Sequence, residues 1–73
     1  MAFIRALGYL AEYIGGRSMK IRVDKPVKIR DIIKLPLDLE GRIIILVNGQ
    51  PSTLDSLIVD SDRIVLMPII SGG

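Results

Sequence analysis

Apolar and polar positions change period several times along the chain, and each change marks an element. Ala2 to Leu7 reads as a first strand. Leu10, Tyr13 and Ile14 then recur at i, i+3, i+4, which predicts a short amphipathic helix closed by Gly15-Gly16. Met19, Ile21 and Val23 alternate with Lys20, Arg22 and Asp24, a strand with one buried and one charged face. Pro26 breaks it. Ile29, Ile32 and Ile33 follow at helical spacing, and Pro36 stops that main helix within about two turns.

Leu35 to Gly41 reads as a connection whose leucines cover one edge of the core. Ile43 to Val47 shows no alternation, which predicts a central strand buried on both faces. Asn48-Gly49 is a turn because both residues tolerate positive φ, and Pro51 argues against a long hairpin after it. Leu54 and Leu57 fall in a short irregular or 3₁₀ piece. Asp60-Ser61-Asp62 forms a second turn, Arg63 to Met67 the last strand, and Pro68 is expected to leave the sheet. One main helix across a mixed sheet gives an α+β domain.

With 73 residues the chain allows one domain, 1–73, with a tail from about residue 68. Thirteen isoleucines against three aromatics (Phe3, Tyr9, Tyr13) favour sheet, since a β-branched side chain suits a pleated surface. The chain contains no cysteine or histidine, which removes thiolate chemistry, the commonest general base and the commonest neutral metal ligand. This inventory suits a carrier better than an enzyme. The longest apolar run, Ile43 to Val47, is far short of the ~20 residues that span a bilayer. Arg5 and Glu12 interrupt the apolar start and no small-residue cleavage site follows, so a cytoplasmic protein is expected.

Charge is uneven. Residues 17–34 carry seven bases and two acids, a net of +5, and the remainder sums to −3. That segment is either a docking surface for an acidic partner or an ordinary solvated face. Nucleic acid is not the expected ligand, because stacking platforms need aromatics and none lies within the segment.

The tail carries the candidate chemistry. Six residues beyond Met67 reach at most ~20 Å, enough to thread another protein's active site. Gly72 and Gly73 lack side chains, so such an end can pass through a narrow channel, and two closing glycines arise by chance in only ~0.5% of chains.

Three segments carry a family resemblance: Val47-Asn48-Gly49, Asp60-Ser61-Asp62-Arg63-Ile64-Val65, and Met67-Pro68-Ile69-Ile70-Ser71-Gly72-Gly73. Together they resemble the C-terminal half of the ubiquitin-like sulfur carriers of the MoaD/ThiS type, with their VNG-type turn, DGDEV-type turn and PPVSGG-type end. Phe3 to Gly16 is more similar to MoaD, the small subunit of molybdopterin synthase, than to ThiS, the thiazole sulfur carrier. The chain departs from the pattern at Ile69-Ile70, where a second proline and a valine are usual. Ser61 stands for glycine and Arg63 for glutamate, and the main helix is short.

The resemblance implies a ubiquitin-like β-grasp fold, with a mixed sheet packed on one main helix and a flexible diglycine tail. It also implies that a ubiquitin-activating-type partner, using ATP and magnesium, adenylates the Gly73 carboxylate, which becomes a sulfur-donating thiocarboxylate. A MoaE-like large subunit of molybdopterin synthase is the implied acceptor, with Pro68, Ile69, Ile70, Ser71 and Gly72 as tail-recognition residues.

The residues fit that chemistry. A terminal carboxyl, with an ordinary pKa near ~3.5, is ionised and a poor electrophile, so it needs activation. No glycine-rich phosphate loop is present, so ATP is expected on the partner, and this chain is expected to bind no cofactor or metal. Ile69 and Ile70 either fill a partner groove or continue the last strand onto the core. Arg5, Arg22 and Arg63 are either partner contacts or surface residues. Asp60 and Asp62 are read as turn chemistry rather than catalytic acids or a cation site. Three functions stay open: a sulfur carrier for molybdopterin, thiazole or tRNA thiolation; a modifier joined through Gly73 to lysines of other proteins; and a binding module in which the glycines are incidental.

Overall fold

The computed structural model describes residues 1–69. Strand β1 (Ala2–Ala6) buries Ala2, Ile4 and Ala6 and turns Phe3 and Arg5 outward. A 3₁₀ turn at Gly8–Leu10 leads into helix α1 (Ala11–Ile14). Gly15, at φ 82°, ends that helix, because the left-handed backbone there costs a residue without Cβ nothing. Strand β2 (Ser18–Ile21) returns antiparallel beside β1.

A second, two-stranded sheet joins β3 (Val27–Lys28) to β6 (Leu57–Ile58), and helix α2 (Ile29–Ile32) follows β3 directly. The expected main helix is therefore a single turn. Ile33 is already extended, and Pro36 disfavours helical backbone in the residue before it. Its apolar face is as expected: Ile29 and Ile33 are buried and Ile32 packs against the core. The expected connection contains a 3₁₀ segment, Leu37–Arg42; Leu35 and Leu39 cover the core edge, but Leu37 is 83% exposed.

Strands β4 (Ile43–Val47), β5 (Gln50–Ser52) and β7 (Arg63–Pro68) complete a five-stranded sheet in the order β2-β1-β7-β4-β5. β1 and β7 run parallel and all other neighbours antiparallel, so the mixed sheet is a β-grasp arrangement. β7, not β4, is central. β4 also departs from the expected burial on both faces: Ile43 and Ile45 face the core, while Ile44 is 40% exposed on the outer face. The Asn48-Gly49 turn (φ 52° and 82°) makes the short hairpin to β5, and Pro51 is tolerated because β5 is an edge strand. Ile4, Leu10, Ile29, Ile58, Ile64 and Leu66 form the centre of the core between the sheet and α2. Among the described residues, no helix is long and apolar enough to cross a membrane.

Candidate functional site: the end of the central strand and the outer sheet face

β7 delivers the tail, and its start is tightly fixed. The Asn48 side chain accepts from Arg63 N–H (3.0 Å) and donates to Asp62 Oδ1 (2.9 Å), while Asn48 N–H donates to Arg63 O (2.8 Å). The β4–β5 turn is thereby tied to the turn before β7, both of which carry the resemblance.

The far end corrects one expectation. Pro68 does not leave the sheet: it is the last residue of β7, opposite Ile43. Alternation explains how proline is accommodated. Ile69 N–H points to β4 and donates to Arg42 O (2.9 Å), so the nitrogen of Pro68 points the other way. On that side β1 has ended; its side of the ladder closes with Leu7 N–H donating to Leu66 O (2.9 Å), so no ladder bond is lost. The proline ring lies against Gly8, where an added Cβ would stand 3.4 Å from Pro68 Cγ. Ile69 divides the two expected alternatives: its backbone prolongs the strand by one bond, but its side chain is 50% exposed. The remaining tail residues, Ile70, Ser71, Gly72 and Gly73, lie outside the described residues.

Asp62 serves its turn, as expected, whereas Asp60 is held by residues far along the chain. Asp60 accepts from Val23 N–H (2.9 Å) and from the Met1 ammonium (3.0 Å); the first contact, then the second, holds its carboxyl below the ordinary value. Asp62 accepts from Val59 N–H (2.8 Å) and from Asn48. No group of three or more metal-ligating side chains occurs among the described residues. Elsewhere Arg30 clasps Asp55 and Glu40, each at 2.6 Å, joining α2 to the loop before β6 and to the 3₁₀ segment; the Arg30 hydrogen bond lowers the Asp55 pKa.

Of the three arginines singled out, Arg22 makes a loose exposed pair with Asp24 (3.7 Å), whereas Arg5 and Arg63 share the outer face of the sheet. Strand pairing sets Phe3, 45% exposed, between Lys20 and Arg63, whose charged groups lie 5.3 and 5.9 Å from the ring centroid. Sequence reasoning missed this cluster by seeking aromatics inside the basic segment. The alternation of β1 and β2 was the available signal, since it puts Phe3 and Lys20 on one face once the strands pair.

Two solved structures share the fold. One is a crystal structure of SAMP1 from Haloferax volcanii, 25% identical, with a TM-score of 0.69, covering 99% of this chain and 98% of that one. The other is a crystal structure of H. volcanii small archaeal modifier protein 1, 23% identical, with a TM-score of 0.68, covering 94% and 97%. Among curated proteins no sequence matches significantly. The ThiS family model matches residues 4–73, taking in the first strand from Ile4, both bonded turns and the tail through Gly73, and the chain belongs to the ThiS family.

Proposed function

We propose that this chain is a cytoplasmic sulfur carrier whose Gly73 carboxyl is the reactive group and whose catalysis is supplied by partners. The observation that carries the reading is the family match running through Gly73, on a chain whose central strand runs as far as Pro68. The Gly73 carboxylate attacks the α-phosphorus of ATP on a ubiquitin-activating-type enzyme that also holds magnesium, and pyrophosphate leaves. A sulfide-level nucleophile then adds to the acyl carbon and AMP leaves, giving the thiocarboxylate. Ser71 and Gly72 keep the approach narrow, and Pro68, Ile69 and Ile70 contact the partner. The likeness of Phe3 to Gly16 to MoaD favours molybdopterin synthesis as the destination, with a MoaE-like subunit as acceptor.

The likeness to a small archaeal modifier protein favours a second reading, in which the activated Gly73 is joined to lysines of other proteins. Intact mass spectrometry of the chain recovered from its own cells separates the two. A gain of ~16 Da, sulfur for oxygen, supports carriage, and removal of Gly73 abolishes it. Heavier species that carry the chain on lysine, without the ~16 Da form, support conjugation instead.

A further inference from the structure

We infer that the Asn48-Gly49 turn is a site of spontaneous deamidation, guarded in the folded chain by Asp62 and the Arg63 backbone, so that conversion of Asn48 marks chains whose two turns have come apart. The inference is independent of the carrier reading above.

The residue pair makes the chemistry available. The peptide nitrogen of Gly49 can attack the side-chain carbonyl carbon of Asn48, because no Cβ on the glycine obstructs the approach. A bond forms between Gly49 N and Asn48 Cγ, the bond from Cγ to Nδ2 breaks, and ammonia leaves with the proton that Gly49 N gives up. Water then opens the cyclic imide. Attack at Cγ leaves aspartate, and attack at the main-chain carbonyl leaves isoaspartate, whose backbone runs through the side chain. One water enters and one ammonia departs, so no oxidant or co-reactant is needed. Both residues are exposed to water, and a Cβ added at Gly49 would meet nothing within 4 Å, so the ring has room to form. Asn48 is the only asparagine in the chain.

The fold holds this reaction back. The Asn48 carboxamide is engaged at both ends: Oδ1 accepts from Arg63 N–H at 3.0 Å and Nδ2 donates to Asp62 Oδ1 at 2.9 Å. Both partners belong to the turn before β7 and the start of that strand. Ring closure turns the carboxamide back onto the next residue of its own turn, which costs both bonds. The reaction therefore requires the β4–β5 turn to part from the turn before β7, a local opening rather than global unfolding. Conversion then prevents full re-closure. An aspartate at position 48 has no N–H to offer Asp62 and sets two carboxylates where a hydrogen bond now lies. An isoaspartate lengthens the backbone of a turn built on φ values of 52° and 82°. A transient opening is thus recorded as a lasting covalent change.

The test uses the full chain in mildly alkaline buffer. Conversion is read by intact mass as a gain of ~1 Da, with peptide mapping to separate aspartate from isoaspartate at residue 48. The folded wild-type chain should convert about tenfold or more slowly than the same chain unfolded in guanidinium chloride. Asp62→Ala frees Nδ2 and should speed conversion of the folded chain severalfold beyond what its own unfolded fraction, taken from denaturant unfolding, accounts for. Asp60→Ala removes the other acid of that turn without touching Asn48, and its rate should follow its unfolded fraction alone. Equal rates in the folded and unfolded wild-type chain overturn the inference. So does an Asp62→Ala rate explained entirely by global unfolding, and so does an unfolded chain that does not convert at Asn48.

Discussion

Neighbouring isoleucines on β4 offer a sharp test of which face of the sheet is covered. Ile44→Thr and Ile45→Thr are the same chemical change, and both keep the β-branch that suits a strand. Each replaces an ethyl group by a hydroxyl. At Ile45, 5% exposed, two buried carbons contribute ~1.6 kcal/mol, and a hydroxyl without a partner in this apolar core costs a further ~1–3 kcal/mol. The expected loss is ~3–4 kcal/mol. At Ile44, 40% exposed, the apolar loss shrinks to ~1 kcal/mol and the hydroxyl reaches water. The gap of ~2–3 kcal/mol is large against the ~4–11 kcal/mol total stability of a domain this size. Urea unfolding followed by far-ultraviolet circular dichroism measures it directly, and it corresponds to more than ~8 °C in Tm. Equal losses at the two sites, independent of protein concentration, would refute the assignment of inner and outer faces.

Two further outcomes follow from particular contacts. Asn48→Gly keeps the positive φ of the turn but deletes the side-chain hydrogen bonds to Asp62 and Arg63, so it should cost ~1–2 kcal/mol by the same unfolding assay; Asn48→Asp keeps the bond from Arg63 N–H but sets a second carboxylate against Asp62, so its cost should fall as pH is lowered. Asp55 and Asp60 both have folded-state pKa values below their unfolded ones, so the stability they contribute is present above about pH 4 and is lost as pH falls through the lowered values. Asp60→Asn should flatten the acid limb of stability against pH, and an unchanged limb would show that its contacts with Val23 N–H and the Met1 ammonium do not differ between folded and unfolded chains.

Legibility in the sequence followed the reach of each signal. The first strand, α1 and the strand after it were readable because period and a terminating glycine are local. Both turns were readable for the same reason: Asn48, Gly49 and the Asp60–Asp62 segment declare their backbone angles through residue type. Ile43 to Val47 was misread because five apolar residues in a row carry no polar marker for the outward position, so Ile44 is indistinguishable from Ile45 until β7 is laid beside it. Pro68 was misread because the effect of a proline in a sheet depends on what its nitrogen faces, and that depends on where β1 stops. The cluster at Phe3 was invisible for a related reason. Its members come from three strands separated by 17 and 60 residues along the chain, and only register brings them together.

The corrected end of β7 changes what a partner must do. With the sheet ending at Met67, six residues would span at most ~20 Å; with Pro68 in the sheet and Ile69 bonded to Arg42, four residues lie beyond the last bonded position and four residues span at most ~14 Å. A catalytic centre that must come this close to the body cannot approach on the tail alone; it brings a surface against the rim where β7 ends. Met67 and Ile44 lie at that rim, opposite one another on the outer face. On the proposed function, a partner that activates Gly73 therefore has to bring a surface against the end of β7, because the residues beyond Ile69 span too little length to hold it apart.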